Sequence, residues 1–238
     1  ATWLIGESQR KALLAILEKF TDIYFADMSS VCEEAGVPML DNRSATLAGT
    51  PLSSRAQVIL ARNLACKWLA GAALPPVKAI ALDLDNTLHS GVLGEDGIGN
   101  VLLTADHERL QYQVKELKKS GIFLALVSRN EPEDVKDLFF SRLDYPLRWD
   151  DFSVIEVSWG DKSDALQRIA QKLRISMDAI LFVDDNPGEL AAVTQQHGTL
   201  QTLYAEPNAG LTSIAIEYYP GLWRWKQEDD DGKRIADL

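Results

Sequence analysis

The chain has 238 residues, enough for one hydrophobic core of ordinary size with an added subdomain. Hydrophobic residues make up 46% and charged residues 25%, as in soluble globular proteins, and no apolar run approaches the roughly 18 residues that a membrane span needs. The net charge of −11 argues against broad nucleic-acid binding, because phosphate backbones require clustered cations, and it favours a small substrate or a protein partner.

The N-terminus and the cysteines indicate a reducing, cytoplasmic location. The chain begins at Ala1 rather than Met and lacks the basic-then-apolar pattern of a signal peptide, so we interpret the start as a boundary inside a longer protein. The only cysteines are Cys32 and Cys66. With no CxxC pair and no cluster of Cys and His, the sequence indicates neither a zinc site nor a disulfide framework.

Residues 1–75 are predicted to form a helical N-terminal subdomain. The stretches 11–20 and 57–69 have amphipathic helical periodicity, and Gly, Pro and Ser occur between them. Pro75 and Pro76 then predict a stiff connection into the first strand.

Residues 76–226 are predicted to form an α/β domain with a parallel sheet, because short runs of Val, Ile, Leu and Phe alternate with helical patterns. The predicted strands are 79–84, 122–127, 154–157, 180–183 and 200–203, and the predicted helices are 107–119, 132–140, 163–173 and 187–195. Asn130 and Asn186 are predicted N-caps, since each lies just before an early proline. The acidic residues 227–238 are predicted to be a tail or linker.

The first predicted strand ends in two carboxylates, Asp83 and Asp85. Strand side chains alternate, so the two are expected to project to the same side, at the sheet edge where α/β proteins bind ligands. Two carboxylates this close lose hydration and repel each other, a cost of roughly a few kcal/mol that a divalent cation would offset. Mg²⁺ is expected, since it prefers oxygen ligands. An Asp-x-Asp pair alone is more often a solvated turn, so the interpretation depends on the other strand ends.

The segment from Asp83 to Thr87 resembles the first motif of phosphatases of the haloacid dehalogenase (HAD) superfamily, and three more motifs follow in order. Ser128 resembles the motif II hydroxyl that binds the transferring phosphoryl group. Lys162 resembles the motif III lysine, and Asp184 with Asp185 resembles the acidic pair of motif IV. The resemblance implies an HAD-like Rossmannoid fold with helices on both faces of the sheet.

The same resemblance implies a mechanism in which Asp83 attacks phosphorus and becomes an aspartyl phosphate. Asp85 would protonate the leaving oxygen and later activate water, a role for which burial is expected to raise its pKa. The implied magnesium ligands are Asp83, Asp85, Asp184 and Asp185, and the implied substrate-binding residues are Thr87, Ser128, Arg129, Asn130 and Lys162.

The spacing of the motifs predicts a small flap and no large cap domain. Ser128 follows Asp83 by 45 residues (128 − 83), and Lys162 follows Ser128 by 34 (162 − 128). HAD enzymes usually carry a cap in one of these intervals, but here there is room only for a flap at 89–103 and one helix. The cleft is therefore expected to be open, which suits a substrate presented on another protein.

Residues 50–225 resemble FkbH-like proteins, an HAD subgroup of polyketide pathways found free-standing and as domains of larger synthases. Beyond the four motifs, the similarity covers 91–97, Arg129 with Asn130, 185–189 and 219–223. The resemblance implies that the chain takes a three-carbon glyceryl unit from 1,3-bisphosphoglycerate, removes phosphate and leaves a glyceryl thioester on an acyl carrier protein. It also implies that the chain is a domain of a larger synthase.

Two residues depart from the FkbH-like pattern: Val127 stands where many members have Cys, and His89 stands where they have Trp. If acyl transfer passes through an enzyme thiol, Cys66 is the first candidate and Cys32 the second. Cys66 follows Arg62 by four residues, so one helix face is expected to carry both, and a nearby cation lowers a thiol pKa. The alternative is that Cys66 only packs in an Ala/Leu-rich helix.

Two other functions are consistent with these motifs. A capless HAD phosphatase acting on a phosphoprotein or a small phosphate ester would use the same residues, and a docking module could keep the fold without the chemistry, although the intact motifs argue against it. Outside the motifs, we predict surface positions for His107 and His197, cover of the core edge by Trp223 and Trp225, and a flap-shaping role for Glu95 and Asp96.

Overall fold

The computed structural model describes residues 6–17, 19–20 and 23–225, and the predicted acidic tail at 227–238 lies outside these ranges. The chain divides into two compact units, Ala1–Trp68 and Leu69–Leu238. The division falls at the end of the predicted helix 57–69 rather than at the two prolines. One reason is that Gly71 lies against the Trp223 ring, where an added Cβ would come within 3.0 Å of a ring carbon. Within the described ranges, every helix is too short or too polar to cross a membrane.

The first unit is helical. Its helices are α1 (Glu7–Leu17), α2 (Met28–Glu34), α3 (Asn42–Ala48) and α4 (Ser54–Asn63), and α4 continues into a π-helical segment, Leu64–Leu69. Asp27 and Ser53 are the N-caps of α2 and α4, and each side chain accepts hydrogen bonds from backbone N–H groups of the first turn. Cys32, Ala56 and Leu60 form the small buried core of this unit.

The second unit contains a five-stranded sheet in the order β3-β2-β1-β4-β5, and all neighbouring strands are parallel. The strands are β1 (Ala79–Leu82), β2 (Phe123–Ser128), β3 (Val154–Val157), β4 (Ile180–Asp184) and β5 (Gln201–Tyr204). The prediction of a parallel α/β sheet is confirmed. The three central strands are completely buried, which explains why their sequences are continuous apolar runs.

Seven helices accompany the sheet: α5 (Ala70–Ala73), α6 (Leu93–Asp96), α7 (Ala105–Lys119), α8 (Pro132–Ser141), α9 (Lys162–Leu173), α10 (Pro187–Gln196) and α11 (Ala209–Glu217), in the part of the unit that is described. Short 3₁₀ turns occur at Trp149–Asp151 and Met177–Ala179. Helix α11 was not predicted, because its apolar residues surround the helix and give no clear amphipathic period. Its N-cap is Asn208, which accepts from Gly210 N–H.

The sheet has a hydrophobic core on each face. Along β1, Ile80 and Leu82 belong to one core, and Ala79 and Ala81 to the other, as strand alternation requires. Helices α7 and α11 contribute to the first core and α9 and α10 to the second. Burial of a side chain such as Ile80 stabilises the fold by about 1.5–3 kcal/mol. The prediction of helices on both faces is therefore confirmed.

Between β1 and β2 the described chain forms a small flap and α7, and no cap domain. The flap contains α6 and an antiparallel bridge between Ser90 and Leu102. Asp96 shapes it, since its carboxylate accepts from Val92 N–H at 2.8 Å. Gly91 has φ +106°, a conformation that favours glycine.

The prediction that His107 lies on the surface is wrong. Its exposed fraction is 3%, and its Nδ1 lies 2.7 Å from Thr104 Oγ1. The reason is helical spacing: His107 lies on the face of α7 that carries the buried Leu110, Gln111 and Val114. Burial lowers the pKa of His107, and proximity to His89 lowers it further. His197 is half-buried, with Nε2 3.1 Å from the Ser163 carbonyl oxygen.

Candidate active site

Four predicted site residues lie at the carboxyl ends of neighbouring strands. Asp83 directly follows β1, Ser128 ends β2, Lys162 begins α9 in the connection from β3 to β4, and Asp184 ends β4. Because the strands are parallel, their carboxyl ends meet at one edge of the sheet. All four residues are buried, with exposed fractions of 0–6%. Buried polar side chains at this edge need partners, and their contacts define the site.

The Lys162 ammonium lies between two carboxylates. Its Nζ is 2.7 Å from Asp83 Oδ1 and 2.7 Å from Asp184 Oδ2. Burial lowers the pKa of Lys162, but the charges of Asp83 and Asp184 outweigh burial and raise it, so the amine is protonated at neutral pH. Burial raises the pKa of Asp83 to about 7; the Lys162 ammonium opposes this shift and the Asp184 charge adds to it. The site therefore holds more negative charge than one ammonium compensates.

Asp83, Asp184 and Asp185 form a carboxylate cluster that fits a metal ion. Each offers one oxygen, and these oxygens lie within 4.8 Å of one another. Burial and the neighbouring Asp184 charge raise the pKa of Asp185. Hard oxygen donors at this spacing suit Mg²⁺. A divalent cation would offset the cost of burying these carboxylates and relieve the repulsion between them, the two effects that raise the pKa values of Asp83 and Asp185. The residues present therefore fit the predicted cofactor.

Asp85 was predicted as a fourth metal ligand, but its side chain lies outside this cluster. Its carboxylate accepts from His89 Nε2 at 3.2 Å, from Leu93 N–H at 2.8 Å and from Asn130 Nδ2 at 2.7 Å. The physical reason is that β1 ends at Leu82, so strand alternation does not extend to Asp85.

The expected direction of the Asp85 pKa is also corrected. Burial raises the pKa, as predicted, but the hydrogen bonds from His89, Leu93 and Asn130 outweigh burial and lower it below its usual value. Asp85 is consequently an ionised carboxylate at neutral pH. Its hydrogen bonds connect it to the flap on one side and to the segment after β2 on the other.

Asn130 links Asp85 to Ser128. Its Nδ2 donates to Asp85 Oδ2 at 2.7 Å and to Ser128 Oγ at 3.0 Å. The prediction that Asn130 caps a helix is wrong: the N-cap of α8 is Glu131, without a side-chain cap. Asn186, in contrast, caps α10 as predicted and accepts from Gly188 N–H.

The other two predicted substrate-binding residues differ in exposure. The Arg129 side chain is 41% exposed, and its guanidinium donates to Glu189 Oε1 at 2.8 Å. Glu189 lies in the first turn of α10, so Arg129 occupies the rim of the site. Thr87 is 1% exposed, and its Oγ1 has no hydrogen-bond partner among the described residues. Its backbone N–H donates to the Leu84 carbonyl, which supports the turn after β1.

Both cysteines belong to the first unit. Cys66 is half-buried in the π-helical segment, whereas Arg62 lies in α4. The change from α to π winding alters the four-residue spacing on which the predicted shared helix face depended. Cys32 is 1% exposed, and burial raises the pKa of its thiol. Cys32 is thus part of the core, while the role of Cys66 in acyl transfer stays a prediction.

Two residues of the site were not predicted as such. The sequence marks His89 only as a departure from a family pattern, yet it is completely buried and contacts Asp85. Glu189 belongs to a segment similar to the same family, yet its pairing with Arg129 was not expected. Neither contact has a local sequence signal. Asp85 and His89 lie in the irregular turn after β1, whereas Arg129 and Glu189 come from the connections after β2 and β4.

No protein-family model and no curated protein sequence matches the chain. Among solved structures, it resembles the N-terminal part of a Bacteroides fragilis protein, containing a phosphatase domain complexed with Mg, at TM-score 0.69 and 24% identity over 90% of this chain. It also aligns with 3-deoxy-D-manno-octulosonate 8-phosphate phosphatase from Moraxella catarrhalis (TM-score 0.40, 18% identity, 61% of this chain and 89% of that chain) and D,D-heptose 1,7-bisphosphate phosphatase from B. bronchiseptica (0.44, 11%, 68% and 99%).

The chain spans 60% of the Bacteroides fragilis chain that it resembles. That likeness concerns the fold, and it agrees with the strand order and parallel pairing described above. The chain therefore has an HAD-like Rossmann fold, with the carboxylate cluster at the sheet edge where such folds bind ligands.

Proposed function

We propose that this chain is a Mg²⁺-dependent phosphoryl-transfer enzyme with Asp83 as the nucleophile. The observation that carries the proposal is the contact of Lys162 with Asp83 and Asp184, beside Asp185, at the carboxyl edge of the sheet. Such a set of buried charges is costly for the fold, and it is typical of sites that bind a cation and an anion together. The Bacteroides fragilis structure is a complex with Mg, which supports the choice of metal.

The proposed reaction gives a role to each of the buried residues of the site. When bound, Mg²⁺ would be held by Asp83, Asp184 and Asp185 and would supply positive charge next to the phosphate oxygens. An Asp83 oxygen attacks phosphorus, the bond from phosphorus to the leaving oxygen breaks, and the leaving oxygen takes the electron pair. Lys162 and the Ser128 hydroxyl donate to the phosphoryl oxygens.

In the second step, a water oxygen attacks the aspartyl phosphate. The bond from phosphorus to the Asp83 oxygen breaks, its electron pair returns to the Asp83 carboxylate, and the water proton passes to Asp85. An ionised Asp85 suits this general-base role. In the first step the leaving oxygen of a phosphate ester takes up a proton, for which Asp85 would have to be protonated beforehand, whereas the leaving carboxylate of an acyl phosphate needs none.

We further propose that the substrate is 1,3-bisphosphoglycerate and that the glyceryl unit is loaded onto an acyl carrier protein, within a larger polyketide synthase. A thioester forms from this substrate only if a thiol attacks the acyl carbon: the carbon–sulfur bond forms, the bond from that carbon to the phosphate oxygen breaks, and inorganic phosphate leaves. Asp83 would then act on the other phosphoryl group, the phosphate ester at the third carbon, and pass it to water. The small flap between β1 and β2 supports a substrate presented by a carrier.

The alternative is a capless phosphatase that releases phosphate from a phosphoprotein or a small phosphate ester. It is favoured by one observation: the unit that contains Asp83 has no cysteine, so its residues alone support transfer to water but offer no thiol for an acyl group.

Incubation of the chain with Mg²⁺, 1,3-bisphosphoglycerate and a phosphopantetheinylated acyl carrier protein tests both functions. We expect release of inorganic phosphate, and intact-mass measurement is expected to show a three-carbon adduct on the carrier. Phosphate release without an adduct would favour the phosphatase alternative. Absence of phosphate release, with acetyl phosphate and a small phosphate ester as further substrates, would contradict phosphoryl transfer altogether.

Cys66→Ala is expected to block loading of the carrier while sparing the phosphate release that depends on Asp83, because the thiol would attack the acyl carbon and displace its phosphate, whereas Asp83 attacks phosphorus. The readout is the carrier mass beside the phosphate assay. Cys32→Ala is the matched control, since Cys32 is a core residue, and it is expected to lower stability without affecting loading. Unchanged loading by Cys66→Ala would dismiss the thiol relay.

A further inference from the structure

His89 is a buried titratable residue that the proposed reaction does not use. It is 0% exposed, and its ring lies beside the Tyr145 ring, with centroids 6.1 Å apart. Its Nε2 is 3.2 Å from Asp85 Oδ1, while its Nδ1 has no hydrogen-bond partner in the described part of the chain. Burial of this imidazole lowers the stability of the fold, since its Nδ1 is a buried polar atom without a partner among the described residues. The contact with Asp85 is therefore the feature to explain.

Three donors hold the Asp85 carboxylate. Leu93 N–H donates to Oδ1 from the flap, and Asn130 Nδ2 donates to Oδ2 from the segment after β2. An aspartate carboxylate rotates easily about its last torsion angle, so these two donors define its position less well than three. His89 supplies the third from a ring whose own rotation is blocked by complete burial.

The held carboxylate is connected to the phosphoryl-binding residues. Asn130 also donates to Ser128 Oγ, so the orientation of Asp85 is tied to the hydroxyl proposed to contact the phosphoryl group. Leu93 N–H and Asn130 Nδ2 both donate to this carboxylate, so Asp85 acts as an acceptor, and the contact with His89 requires the form of the ring in which Nε2 carries a hydrogen. His89 thus contacts Oδ1 of Asp85, whereas Asn130 donates to Oδ2. His89 is not one of the residues assigned to the substrate.

We propose that His89 is a positioning residue that holds Asp85 in the orientation in which it takes a proton from the water attacking the aspartyl phosphate. This inference rests on the proposed phosphoryl-transfer function. In the step concerned, the bond from water oxygen to phosphorus forms and the bond from phosphorus to Asp83 breaks. The electron pair stays on Asp83, and the water proton moves to Asp85.

The two half-reactions respond differently to loss of His89. Formation of the aspartyl phosphate from an acyl phosphate releases a carboxylate and needs no proton from Asp85. Hydrolysis of the aspartyl phosphate does need Asp85 as a base. A misplaced Asp85 therefore slows hydrolysis alone, so kcat falls, kcat/KM is unchanged and the phosphorylated protein accumulates.

The test uses acetyl phosphate as the substrate and the whole chain in Mg²⁺-containing buffer. For His89→Leu we expect kcat to fall by about 10- to 100-fold, part of the 10²–10⁴ that general-base catalysis contributes, with kcat/KM unchanged. Acid-quenched samples are expected to contain a larger fraction of phosphorylated protein than wild type. His89→Gln, whose amide nitrogen can occupy the place of Nε2, is expected to restore kcat.

The controls separate positioning from damage to the fold. His107→Leu removes another buried histidine, whose ring is bonded to Thr104, and is expected to leave the phosphorylated fraction unchanged. If His89→Leu does not fold, His89→Asn replaces it, because its amide is too short to reach Asp85. Equal losses in kcat and kcat/KM without accumulation, or a failure of His89→Gln to restore kcat, would overturn the inference. A wild-type protein inactive on acetyl phosphate overturns the proposed function, and the inference with it.

Discussion

Asp83→Asn is expected to reduce phosphate release to background, a loss of at least about a thousandfold, because an amide cannot form the aspartyl phosphate. The fold is expected to persist. Asn has nearly the same volume as Asp, and the exchange removes a carboxylate whose pKa burial raises to about 7, while the contact of Lys162 with Asp184 stays in place. Phosphate release and thermal unfolding, measured on the same preparation, check both parts.

The control for Asp83→Asn is Asp144→Asn, which removes a carboxylate that is 51% exposed and pairs with Arg142. It is expected to leave phosphate release unchanged and to alter stability by less than about 1 kcal/mol. Appreciable turnover by Asp83→Asn would exclude this residue as the nucleophile and with it the proposed mechanism.

Lys162→Met is expected to lower the free energy of unfolding by about 3–5 kcal/mol in Mg²⁺-free buffer, because it leaves two buried carboxylates without their shared cation. Added Mg²⁺ is expected to recover part of this loss, since an ion that binds only the folded state stabilises it by mass action. Urea unfolding with Mg²⁺ and with a chelator measures both effects. Activity is expected to fall as well, because the phosphoryl oxygens lose a cationic donor.

The pH dependence of this loss follows from Asp83. Its folded pKa of about 7 lies above the usual value of 3.8, so its contribution to stability is fully present below 3.8 and is lost as the pH rises through about 7. The deficit of Lys162→Met is therefore expected to be larger above pH 7 than below it. Lys172→Met is the control: Lys172 is 55% exposed and pairs with Glu156, so a change below about 1 kcal/mol is expected. Equal stability of Lys162→Met and wild type without Mg²⁺ would contradict the described geometry.

The strands were predictable because burial on both faces leaves a strong local signal. Each central strand is a short run of apolar residues, and the observed boundaries differ from the predicted ones by no more than a few residues at each end. The parallel pairing followed from the alternation of strands and helices. Placement of Asp83, Ser128, Lys162 and Asp184 at one edge followed in turn, since each ends or follows a predicted strand.

The orientation of site side chains was not predictable in the same way. The alternation rule holds along β1 but not beyond its end, so it misplaced the carboxylate of Asp85. Asn130 matches a helix-cap pattern, in which its amide oxygen would accept from a backbone N–H. Instead its amide nitrogen donates to two groups in the site, because tertiary partners compete with the local backbone for the same side chain. The burial of His107 depends on which face of α7 meets the sheet.

The sequence by itself determined the strands, the helices with clear amphipathic faces and the set of acidic and basic residues at the strand ends, because these depend on local spacing and on burial patterns carried by neighbouring residues. The tertiary structure decided that Asp83 and Asp184 share Lys162, that the Asp85 carboxylate turns toward the flap, and that His89 contacts Asp85. These contacts join residues far apart along the chain or across an irregular turn. Their energies depend on distance and burial, which no local pattern encodes.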